Sequence, residues 1–149
     1  MRRPAPRTIL LGALAAVGFA AVFGTHAALT THYLDKSHMG ADEGFYALAA
    51  RAALDGELPY RDFAYTQMPL LPYLNGAAME LAGYGLTSQR VVNIVWSFAG
   101  LLAVVLALWR RFGSFEPGLA AAFCVAASPH FAEMMAIGTS HGGATFATA

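Results

Sequence analysis

The stretch VVNIVWSFAGLLAVVLALW, residues 91–109, carries no formal charge over nineteen positions and is closed by Arg110 and Arg111. An α-helix rises 1.5 Å per residue, so about 20 apolar residues cross a hydrocarbon layer roughly 30 Å thick. The run reads as a membrane span, and it sets the expected fold class: an all-α, multi-pass transmembrane helical protein. Composition points the same way. Of 149 residues, 57% are hydrophobic and only 12% charged, with a mean hydropathy of +0.50, whereas a soluble domain has about a quarter of its residues charged. Nine basic and nine acidic residues cancel, which excludes the clustered basic surface of a nucleic-acid-binding protein. The single cysteine, Cys124, excludes disulfide and zinc frameworks by count. Set in an alanine-rich run, it reads as a small buried hydrophobe.

Working outward, a first span is expected over residues 8–29, behind Arg2, Arg3 and Arg7. A cleaved signal peptide is the alternative for this segment, but the run is longer than a typical signal core and further spans follow. Arginines collect on the cytoplasmic side of membranes. The three at the start and the two at 110–111 therefore place the N-terminus in the cytoplasm and the loop 30–90 outside. A third span is expected over residues 117–136, with Glu133 late enough to reach the outer interface. Apolar sequence resumes at about residue 142 as the start of another span, so residues 1–149 read as the N-terminal part of a longer membrane domain.

The outer loop holds the chemistry-bearing residues. Six of the nine acidic residues fall between Asp35 and Asp62. Asp42 and Glu43 open a short amphipathic helix that Gly56 terminates, and the apolar spacing of Phe45, Leu48, Ala49 and Ala52 suits a helix lying along the membrane surface. Residues 58–66 read as a loop, because Pro59 disfavours helix at its predecessor. Residues 67–82 are apolar but interrupted by Pro69, Pro72, Asn75, Gly76 and Glu80, which suits a second horizontal or re-entrant helix. A carboxylate at Asp42 or Glu43 is able to serve as a general base or metal ligand, or simply to cap the helix and complement its dipole. Arg61 suits a phosphate oxygen or a local ion pair with Asp62. His32, Asp35 and His38 match no standard metal-ligand spacing and read as a solvated linker.

Four pieces in order carry a family resemblance: Asp42-Glu43-Gly44-Phe45-Tyr46 after one span; Gly56-Glu57-Leu58-Pro59-Tyr60-Arg61-Asp62-Phe63; Pro69-Leu70-Leu71-Pro72-Tyr73-Leu74; and a span preceded by Arg90 and closed by Arg110-Arg111-Phe112-Gly113. Together with Ser128-Pro129, this set resembles the N-terminal third of polytopic C-type-fold glycosyltransferases, the group of protein mannosyltransferases and aminoarabinose transferases. The resemblance implies an enzyme of the multi-pass cell membrane, such as the bacterial inner membrane, that moves a sugar from a polyprenyl-phosphate donor to a glycan, lipid or protein acceptor on the outer face. It implies Asp42 as the catalytic carboxylate, with or without a divalent metal ion offsetting the phosphate charge. Glu43, Arg61, Asp62, Gln67 and His141 are its further candidates for the donor, acceptor or metal site. Two departures stand out. Gln67-Met68-Pro69 replaces a Lys-Pro-Pro or Pro-Pro of many relatives, and His141 stands where some place an aspartate. A secondary transporter and a non-catalytic membrane assembly subunit are the alternative functions.

Overall fold

The computed structural model describes residues 6–36 and 41–138. They form six helices: α1 (Pro6–Leu34), α2 (Ala41–Leu54), α3 (Leu70–Ala82), α4 (Leu86–Phe112), α5 (Glu116–Ala126) and α6 (Pro129–Ala136). No strand occurs among the described residues, only an isolated pairing of Pro59 with Phe63.

Two helices are long and apolar enough to cross a membrane, Ile9–Leu34 and Leu86–Phe112, or three spans if the bent pair α5 and α6 counts as one. Both long helices outrun the expected segments. With 29 and 27 residues, α1 and α4 extend about 43 and 40 Å. α4 starts at Leu86 rather than at residue 91, so Ser88, Gln89 and Arg90 lie inside the helix. Hydropathy alone ends a span at its first polar residues. Here those side chains are buried against protein, so the backbone continues helical through them. The N-cap of α4 is Gly85, and the Ser88 hydroxyl donates 2.6 Å to the Gly83 carbonyl. At the other end Gly113 adopts a left-handed φ of 72° and donates 2.7 Å to the Trp109 carbonyl, a glycine C-cap.

The expected third span is not one straight helix. α5 and α6 meet at 73°. Pro129 has no N–H to give and bars helical geometry at Ser128, which turns extended (ψ 116°) and accepts a hydrogen bond from the Phe131 N–H. Glu133 is exposed on α6. Cys124 is also exposed, a correction to its expected burial: it lies on the outward face of α5, where an apolar run faces away from the bundle.

One core joins α1, α4, α5 and α6 around Val22, Leu101, Val105, Leu119, Ala122 and Ala126, flanked by Phe19, Phe23, Phe115 and Phe131. Gly118 sets its closeness: a Cβ there would meet the Val105 backbone at 2.8 Å, the small-residue contact by which membrane helices approach. A second, smaller cluster of Tyr46, Ala49 and Tyr65, with Phe63 and Leu71 against it, ties α2 to the loop before α3. α3 lies along α2 through Gly76, where a Cβ would come within 3.1 Å of the Ala50 carbonyl oxygen.

Candidate functional site

Three separate segments converge on the first turn of α2. Glu43 is almost wholly buried, and Arg90 of α4 grips its carboxylate in a two-pronged pair, Nε to Oε1 at 2.7 Å and Nη2 to Oε2 at 2.9 Å. The Gly138 N–H donates to the same Oε1 at 2.8 Å. Arg90 Nη1 also donates to the Leu34 carbonyl at the end of α1. One residue earlier, Gln89 Nε2 donates to the Glu43 backbone carbonyl at 3.3 Å and to the Gly138 carbonyl. One turn later, Asn93 Nδ2 donates to the Ile137 carbonyl. A planar guanidinium fits a carboxylate by two parallel bonds, the strongest of the side-chain ion pairs. The pair therefore ties the ends of α1, α2 and α6 to α4.

Asp42, the neighbour of Glu43 in the same first turn, is exposed and hydrogen-bonds to none of the described residues. The two carboxylates thus differ in kind. The oxygens of Glu43 are taken up by Arg90 and Gly138, whereas Asp42 is exposed at the positive end of the helix dipole. Phe45, one turn on, is partly exposed and stacks on Tyr65 with ring centroids 5.5 Å apart.

The other expected candidates are not gathered here. Arg61 and Asp62 are exposed and paired with each other, at 2.9 and 2.8 Å, and Asp62 also accepts the Leu58 N–H at 2.8 Å. These bonds hold the Asp62 carboxyl below, and the Arg61 guanidinium above, their ordinary values. The contribution of Asp62 to the loop is thus present at neutral pH and fades only in acid, as pH falls through its lowered pKa. Gln67 is exposed, and its backbone carbonyl accepts from the Tyr60 hydroxyl. Burial pushes the Tyr65 phenol up, so it stays protonated and is no base. His141 lies outside the described residues. Among the described residues no three His, Cys, Asp or Glu side chains group to hold a metal. Of Asp42 and Glu43, the latter is already bound by Arg90 and Gly138.

Sequence reading passed over Arg90 as a partner for Glu43, together with Gln89, Asn93 and Ser97. The signal was present: these are the polar residues of an apolar helix, spaced to share one face, and polar groups inside spans turn toward protein. Further down the same face Ser97 meets His26 of α1, with Nε2 to Oγ at 2.7 Å and both side chains buried. Ser97 also donates 2.7 Å to the Ile94 carbonyl, which only accepts. Its one proton is thereby committed, so His26 is the Nε2–H tautomer and its Nδ1 has no partner among the described residues. Phe98 and Phe131 enclose the ring, with centroids at 4.9 and 5.4 Å. Ser97→Ala strands the Nε2–H and is expected to cost about 1–3 kcal/mol. Nitrogen-15 shifts showing a protonated Nδ1 and a bare Nε2 would refute the tautomer.

Comparison of the chain with protein-family models, curated proteins and solved structures returns no match.

Proposed function

We propose that the chain is the N-terminal part of a C-type-fold glycosyltransferase that moves a sugar from a polyprenyl-phosphate donor to an acceptor on the outer face of the membrane. The observation that carries this reading is the division of labour at the start of α2. Glu43 is locked by Arg90 and fixes the turn, while Asp42 beside it is exposed and open. A base must be reachable, and Asp42 is exposed on a turn that the Glu43–Arg90 pair anchors. In the proposed step the acceptor hydroxyl gives its proton to Asp42 and its oxygen bonds to the anomeric carbon of the sugar. The bond from that carbon to the donor phosphate breaks, its electron pair leaving on polyprenyl phosphate. The ordered motifs of the loop, from Asp42-Glu43 through Tyr60-Arg61-Asp62 to Pro69 and Pro72, support the same assignment by resemblance. Turnover of polyprenyl-phosphate-linked sugars by the full-length protein tests it. Well-folded protein that releases no polyprenyl phosphate from any such donor sinks the reading.

Arg2, Arg3, Arg7, Arg110 and Arg111 support a cytoplasmic N-terminus, with residues 30–90 outside. In a Cys124→Ser background, a cysteine introduced by Glu57→Cys is expected to react with a membrane-impermeant maleimide in intact cells. Labelling only after permeabilisation would reverse the orientation.

A secondary transporter is favoured by one observation, the 73° break between α5 and α6, since transporters bind substrates at broken helices. Substrate-dependent ion or solute flux in vesicles, without donor turnover, would establish it instead.

A further inference from the structure

The outer end of α4 faces two ways. Gln89, Arg90 and Asn93 turn toward Glu43 and residues 137–138, while Val91, Val95 and Trp96 turn toward α3 and, with Leu74, Ala77 and Leu81, line a groove of about 570 Å³. The Ser88 hydroxyl at its edge is spent on the Gly83 carbonyl, and apart from Ser88 and Thr87 the lining is apolar but for the indole of Trp96. We infer that an acyl chain of a bilayer phospholipid occupies this groove, pinned between α3 and α4, and that α3 consequently sits at acyl depth rather than on the head groups. The inference rests on the membrane reading of α4 and needs nothing of the transferase.

Three observations carry it. First, the α4 wall is continuous with the outward stripe of the span. Val91, Val95, Leu102 and Leu106 follow at steps of 4, 7 and 4 residues on one face, and all are exposed. That stripe is the one lipid chains cover in a spanning helix, so the groove is its upper end. Second, α3 spends one face on protein, burying Pro72, Asn75, Gly76 and Met79. Its exposed residues Leu70, Tyr73, Ala77, Leu81 and Ala82 are uncharged, Glu80 is the one charge among the exposed residues of the helix, and Leu81 is 89% exposed. A water-facing stripe of a surface helix would be polar. Third, only residues 83–85 join α3 to α4, so the groove closes to a V at that end. A helix about 10–12 Å across does not enter such a V, whereas a single hydrocarbon chain does.

The test uses the full-length protein with Trp96 as its sole tryptophan, in phosphatidylcholine vesicles whose acyl chains carry bromine. Trp96 fluorescence is expected to be quenched as strongly as that of a control with Trp96→Phe and Leu102→Trp on the open stripe. Ala77→Phe, which fills the groove from an exposed position, is expected to relieve the quenching. Ala82→Leu at the closed end repeats the reading should that variant be poorly made. Quenching at the Leu102→Trp control but not at Trp96 would mean that protein covers the groove, which overturns the inference. So would quenching that both filling variants leave unchanged. Added unbrominated polyprenyl phosphate is expected to leave the signal as it was. Relief of quenching by this lipid at low mole fraction would make the donor chain the occupant and overturn the phospholipid assignment.

Discussion

Asp42→Asn in the full-length protein is expected to lower sugar transfer by about 10²- to 10⁴-fold, or roughly 3–5 kcal/mol of barrier, while leaving yield and thermal stability close to wild type. The amide keeps the size of the side chain and gives up the proton-accepting oxygen. Because Asp42 is exposed and bonds to none of the described residues, little of the fold depends on it. Its interaction with the dipole of α2 is worth only about 0.3–1 kcal/mol. The two magnitudes separate base from helix-end ornament. Transfer within a few-fold of wild type by normally folded Asp42→Asn would remove the catalytic assignment of Asp42 and leave it a helix-end carboxylate.

The second large effect falls on stability. Arg90→Met takes the charged partner from the buried Glu43 carboxylate, and Glu43→Leu takes it from the buried guanidinium. Breaking one side of a buried pair costs about 3–5 kcal/mol, enough to unfold a marginal membrane domain. Removing both charges together is expected to cost less than the two single changes added together, because no buried charge is left uncompensated. What remains is the loss of partners for the Gly138 N–H and the Leu34 carbonyl, at about 1–3 kcal/mol each. Arg90→Lys cannot reproduce the fork and is expected to fall between wild type and Arg90→Met. Unfolding of the four variants in mixed micelles reads the coupling. A double variant whose loss equals the sum of the singles would show that Glu43 and Arg90 do not act as a unit.

Much of the helix inventory was legible because hydropathy and punctuation are local properties. Uncharged runs marked α1 and α4, Gly56 marked the end of α2, and Pro69 and Pro72 marked the broken start of α3. The helix ends were less legible. α4 begins five residues before its uncharged run, since Gln89 and Arg90 are polar to a hydropathy reading yet apolar surroundings accept them once their partners are supplied. Ser128-Pro129 was visible as a motif, but the 73° angle it produces depends on how α5 and α6 each pack on α1.

The candidate site divides along the same line. By itself the sequence determined that Asp42 and Glu43 open a helix beside a membrane span, because side-chain type and spacing suffice for that. Which of the two carboxylates is free was decided only by tertiary structure. The partner of Glu43 lies 47 residues away on α4, and its third hydrogen bond comes from a glycine 95 residues away. No local pattern encodes such a pairing. It arises because burying a carboxylate requires a matching charge and donors at hydrogen-bond distance, and only the packing of α1, α2, α4 and α6 brings them there.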